Sequence, residues 1–158
     1  TVSINGISYL GKCETIELPT VKEKTEEVHG CGLYVSQKAV VGMEPMTCKF
    51  TFLEIDPFIF NAYGLEADAV GVICKGALRS DKEVVPLTAV LHGRWEEISM
   101  SELKAGQVSG KVSTTMDVRR YELQVGAHPA LLVDTQLNIV NLKGIGDTLA
   151  DVKKAIGF

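Results

Sequence analysis

No stretch of this chain is apolar for anything near the roughly 20 residues that a bilayer-spanning helix requires. The opening Thr1-Val2-Ser3-Ile4-Asn5-Gly6 has neither the basic head nor the apolar run of a secretion signal, so a soluble chain not exported through a cleaved signal is expected. A basic stripe is missing as well: the longest cationic runs are the pairs Arg119-Arg120 and Lys153-Lys154, and the formal net charge is −4. Tight binding to a phosphate backbone, which needs clustered cations, is therefore not expected. Cys13, Cys31, Cys48 and Cys74 form no CxxC pair and match no common zinc spacing, so free thiols are the expectation.

Motifs of catalysis are equally scarce. His29, His92 and His128 are scattered and have no HxxxH or HExxH partner. His29 with Cys31 could supply two metal ligands, but without a second ligand pair they read as incidental turn residues. Lys143-Gly144-Ile145-Gly146-Asp147 lacks both the Walker spacing and GxGxxG, so its glycines read as a loop entering a helix. There is no GxSxG elbow, and adjacent acids such as Glu96-Glu97 are expected on opposite strand faces. No catalytic, cofactor or metal site is expected.

What the chain has is two-residue alternation, the signature of β-structure, in an ordinary globular composition with 46% hydrophobic and 23% charged residues. Asn5-Gly6 suits a type I′ turn. A strand follows from about Ile7, then another up to Leu18, stopped by Pro19. Met46 to Phe52 alternates, with Met46, Cys48, Phe50 and Phe52 on one face. Further strands are predicted over 69–78, 84–98, 111–123 and 131–140. Asp56-Pro57 reads as the cap and first turn of a helix burying Phe58, Ile59, Ala62 and Tyr63 and ending at Gly64. A second short helix is predicted from about Asp147 to Gly157, with Leu149, Val152 and Ile156 on one face. With no repeat or linker, residues 1–158 read as one mainly β domain, a sandwich or barrel with two marginal helices.

Three segments point beyond a monomer. Val21 to Val28 is polar on both faces, either a solvated edge or a strand held by neighbours in a larger sheet. In 111–123, Val112, Thr114, Met116 and Val118 face Ser113, Thr115, Asp117 and Arg119 across the strand. In 87–98, Leu87, Ala89, Leu91 and Trp95 oppose Thr88, His92, Arg94 and Glu96. Such long strands have edges that invite other chains, and only closure into a barrel removes every edge.

These residues carry a resemblance along nearly the whole chain. Ile4-Asn5-Gly6, Leu18-Pro19 and Glu26-Glu27-Val28-His29-Gly30-Cys31-Gly32 come first. His92-Gly93-Arg94, Glu97-Ile98 and Lys104-Ala105-Gly106 follow. Asp134-Thr135, Asn138-Ile139, Gly144, Asp147, Leu149 and Ile156-Gly157-Phe158 close the series. In order and spacing the chain resembles the major tail tube proteins of contractile-tailed phages and the tubes of R-type bacteriocin particles. It differs in a longer turn at Gly144-Ile145-Gly146-Asp147 and in Phe158 at a customary leucine.

The resemblance implies a non-enzymatic structural subunit of the virion tail, assembled in the host cytoplasm into stacked homohexameric rings with a shared inner β-barrel. Its partners would be its own copies, the tail sheath protein, and baseplate and tail terminator proteins. DNA would be passing cargo only, and the subunit itself would bind no membrane. Strands 21–28, 87–98 and 111–123 would face the lumen, with Glu23, Glu27, Glu96 and Asp117 as lining acids. A bacteriocin or other injection-particle tube is the alternative within this class. A monomeric ligand-binding β-barrel or a small hydrolase are the competing classes.

Overall fold

A computed structural model describes residues 1–29, 35–64, 70–79, 83–102, 110–137, 139–142 and 154. Among these, nearly all regular structure is strand. Asn5 (φ 46°) and Gly6 (φ 84°) form the expected turn between β1 (Val2–Ile4) and β2 (Ile7–Ser8), with Ile4 opposite Ile7. Both central residues take positive φ, as a type I′ hairpin demands. β3 (Cys13–Glu17) stops short of Pro19, and β6 (Met46–Phe52) buries Met46, Cys48, Phe50 and Phe52 as the alternation predicts.

The long strands are β7 (Val70–Arg79), β8 (Val84–Met100) and β9 (Val112–Val125). β9 organises the sheet. One edge pairs with β8 along its length; the other is divided, Val112–Val118 pairing with β6 and Arg120–Val125 with β10 (His128–Asp134). The order runs β11 (Ile139–Leu142), β10, β9, β8, β7, β1, β2, with β6 and then β3 branching from β9. A single face of this nine-stranded sheet supplies the core, so the sheet must curl over itself. Phe50 meets Trp95 edge-on at 5.6 Å, and Tyr9, just past β2, reaches Phe52 at 5.5 Å. Phe50, Phe52, Leu91, Met116 and Val72 are fully buried around that contact.

Several expectations are corrected. The strand predicted over 131–140 is two strands: the Asp134 carboxylate accepts the N–H groups of Gln136 and Leu137 at 3.0 Å, folding the chain back into a β10–β11 hairpin. β5 (Gln37–Met43) was not foreseen. α1 (Pro57–Asn61) has the expected cap, with Asp56 accepting from Phe58 N–H at 3.0 Å, and Gly64 is left-handed at φ 78°. Its faces differ, however: Ile59 and Ala62 are buried while Phe58 and Tyr63 are exposed. The predicted C-terminal helix lies outside the described residues, except for Lys154, which is helical.

At Gly93 the sheet leaves no room for a side chain. A Cβ there would collide with the Asp117 carbonyl oxygen across the β8–β9 ladder. Gly93→Ala is expected to cost about 2 kcal/mol or more through forced backbone shifts. Thermal unfolding should then come roughly 5 °C earlier. Buried neutral groups set the alkaline limit. Burial, then the hydrogen bond and charge of Asp56, push the Tyr9 phenol from 10.0 to about 12; burial, with a smaller push from Cys13, moves the Cys74 thiol from 9.0 to about 11. Because both folded values are raised, their contribution is complete below about pH 9 and is lost as pH climbs to about 12. Urea melts at pH 8, 10 and 11.5 should show falling midpoints, and an unchanged midpoint would contradict this burial.

Candidate assembly surface

β3 and β6 do not end as a pair; they continue as a ribbon. Beyond them β4 (Glu23–Val28) pairs with β5 in a separate two-stranded sheet. Glu17 faces Lys49, and six positions further along each strand Glu23 faces Met43, so the register survives the gap between the sheets. The ladder is interrupted because Pro19 and Pro45 have no N–H to contribute. Two contacts bridge the gap: Glu44 N–H donates to Lys22 O at 2.9 Å, and Lys22 Nζ meets the Glu44 carboxylate at 2.9 Å.

The ribbon's far end is stranded. Every β4 residue is exposed, and on β5 Val40 and Val41 are 59% and 56% exposed. Beyond β5 no strand of this chain pairs with β4, and beyond β4 none pairs with β5, among the described residues. A two-stranded hairpin without a covered face is marginal in water. Among the described residues β3 also has an open outer edge, and β8 beyond Gly93 pairs with β9 alone, apart from one parallel bridge between Tyr63 and Trp95.

Two bulges shape the outer face of the sheet. Trp95 pairs with Met116 and Ile98 with Thr114, both toward the core, so Glu96 and Glu97 between them both turn outward. They share a face, contrary to the expectation from simple alternation. A second bulge, at His92–Gly93, does the same for Arg119 and Arg120 between buried Val118 and Tyr121. Asp117 stands half-buried on this outer face, paired across the ladder with Arg94, its carboxylate 3.6 Å from the Arg94 Nε. Thr47, Lys49, Thr51, Ser113, Thr115 and Ser99 complete a polar surface there.

The four expected lining acids therefore divide. Glu96 and Asp117 lie on the outer polar face of β8 and β9. Glu23 and Glu27 lie on the hairpin, where Glu23 faces Met43 and Glu27 faces Lys38. Met43 packs against the core, so these two acids share the ribbon side that leads toward it. Glu97 was missed as a fifth acid; the signal, a bulge, is not written in the alternation. The exposed apolar set was missed too: Ile55, Phe58 and Tyr63 around α1, and Val28, Val40 and Val41 on the hairpin.

Nothing in this surface is built for chemistry. Among the described residues no group of three or more His, Cys, Asp or Glu could hold a metal, and Cys31 lies outside them. Cys13, Cys48 and Cys74 are free thiols, with Cys48 and Cys74 buried and their ionisation pushed up chiefly by burial. No helix among the described residues is long and apolar enough to cross a membrane.

Comparison with known proteins agrees with this character. The family model described as phage tail tube protein FII matches residues 1–157. The tail tube protein of Escherichia phage P2 is 26% identical over 164 residues, covering 99% of this chain and 94% of that protein. The chain belongs to the phage tail tube family: it is a structural component of the virion tail and not an enzyme. In the unassembled subunit, amides of 23–28 and 37–43 should exchange with deuterium far faster than those of β8 and β9, since local opening of the hairpin exposes almost no buried surface. Equal protection of hairpin and sheet in a dilute monomer would show that the hairpin is stable without neighbours.

Proposed function

We propose, with membership of the tail tube family as the premise, that this chain forms hexameric rings that stack into the inner tube of a contractile tail. The tube would sit inside the tail sheath, between baseplate and tail terminator proteins, and conduct DNA as passing cargo. One observation carries the reading: the β4–β5 hairpin takes up the β3–β6 register across the gap, at Glu23–Met43, yet is exposed on both faces, a structure that makes sense only beside other copies.

Symmetry supplies the arrangement. Across the sheet, β3, β6, β9 and β8 alternate in direction. Because the number of strands is even, copies related by a rotation axis continue the alternation, with the open end of β8 meeting the open outer edge of the next copy's β3–β4 strand. Closing the circle removes the edges that would otherwise recruit stray chains. The outer polar face of these four strands then lines the lumen. We assign Glu96 and Asp117 to it, joined by Glu97, and place Glu23 and Glu27 on the hairpin's contact side. An acidic lining repels phosphate and lets DNA slide, where clustered cations would hold it.

A tube of an R-type bacteriocin or another contractile injection particle has the same physics and differs in carrying no DNA. A monomeric ligand-binding barrel is disfavoured by the core, where Phe50, Phe52, Trp95 and Met116 fill the enclosed face.

Glu96→Lys with Glu97→Lys tests the lining. Rods of normal diameter should assemble by negative-stain microscopy, while DNA delivery falls by about tenfold or more as each new cation adds a phosphate contact. Rods that never form would move these acids from the lumen to a subunit contact. If the unaltered chain gave only compact monomers at every concentration, the tube reading itself would fall.

A further inference from the structure

We propose that the cavity beside Arg119 is a carboxylate-binding pocket, filled in the assembled tube by an acidic side chain of a second copy of this chain. The proposal rests on the tube reading, which supplies the second copy, and adds to it one charged contact between copies.

The cavity holds about 200 Å³ and is lined by His92, Arg119, Arg120, Asp134 and Gln136. Two irregularities of the backbone build it. Along β9, Val118 is the last residue opposite β6 and Arg120 the first opposite β10. Arg119 lies at this fork and has no partner on β8 either, because the bulge pairs His92 with Arg120 and Gly93 with Val118. In a regular strand the two arginines would point to opposite faces; the bulge aims both outward. The turn after Asp134 supplies the other wall. It is pinned to the fork, since the Thr135 N–H and hydroxyl both donate to Arg119 O, at 2.9 and 3.0 Å.

The charges in this pocket do not balance. Arg120 has Glu122 at 3.8 Å and Asp134 opposite it on β10. The Asp134 carboxylate is itself engaged, accepting the N–H groups of Gln136 and Leu137 at 3.0 Å. Arg119 is half-buried, and among the described residues no carboxylate stands within ion-pair distance of it. A cation withdrawn from water without a partner is costly, so the site is short of one anion. A carboxylate suits the deficit, because the guanidinium fork takes both of its oxygens together. A strand of phosphates suits it less. Phosphate backbones are held by stripes of cations, whereas here Asp117 stands two residues from Arg119 on β9 and Asp134 forms part of the pocket wall. Other copies bring carboxylates in excess, with 20 acidic residues against 16 lysines and arginines in each chain.

Arg119→Lys tests the contact, since it keeps the charge and so the rods, and offers an amine that a carbodiimide joins directly to a carboxylate. In rods mixed from isotope-labelled and unlabelled subunits, peptide mapping should find a bond from residue 119 to an Asp or Glu of a different copy. A bond only to Asp134 or Glu122 of the same copy, or none at residue 119 in normal rods, would overturn the proposal. Arg119→Glu gives an independent arm. With its melting temperature unchanged, this subunit should need at least about tenfold more protein to form rods, because two carboxylates would then meet. Normal assembly would overturn the proposal, and normal rods with impaired DNA delivery would do so by giving the pocket to phosphate. Unaltered protein that never forms rods would instead sink the tube reading and this contact with it.

Discussion

Every backbone N–H and C=O along a strand must find a partner, and among the described residues the strands are longer than the partners that the same chain supplies. β9 resolves its own surplus by dividing one edge between β6 and β10, so that each half is covered by a different strand. β8 does not do the same: β7 accompanies it only as far as Gly93, and among the described residues its last ones pair with β9 alone, apart from the bridge at Trp95. The β3–β6 ribbon runs past the sheet altogether. These edges are what the proposed closure into a ring of copies would satisfy.

Much of the framework was legible in the residues because burial imposes the two-residue period directly. Met46 to Phe52 and Val112 to Val118 alternate so cleanly that their inner faces follow from the pleat. Asn5-Gly6 and Asp56-Pro57 were legible for another reason: a turn or cap needs specific backbone or side-chain chemistry at a fixed place. What escaped was what depends on a partner. β5 reads as an unremarkable run until β4 is seen beside it. The bulges at Glu96 and Arg119 arise from the ladder across the sheet, and alternation counted through them gives the wrong face. Asp134 looked like part of a continuing strand because its carboxylate can sit in a strand or close a turn, and only the geometry decides.

The exposed apolar residues were hard to see for the same physical cause. Phe58 and Tyr63 satisfy helix spacing for burial, and a chain read alone offers no buried destination except its own core. The core is already filled by Phe50, Phe52, Trp95 and Met116, so the second apolar set stays on the surface. Polar residues on β4 show the converse. Their charge looks like a solvated loop, yet all six pair with β5, with one shift of register between Lys24 and Thr25.

A subunit built with open edges also needs a reason not to assemble everywhere at once. The net charge of −4 provides a weak mutual repulsion, and charged side chains crowd the exposed β4 strand, a common guard against promiscuous edge pairing. The hairpin adds a stronger guard. Its marginal stability means that docking must also order it, and that ordering consumes part of the contact's free energy when only one neighbour is present. In the proposed ring several neighbours would share the same ordering, so each later contact would be more favourable than the first. Growth from such a ring would thereby be favoured over spontaneous association of free subunits, and the same exposed edges that favour assembly would also restrain it.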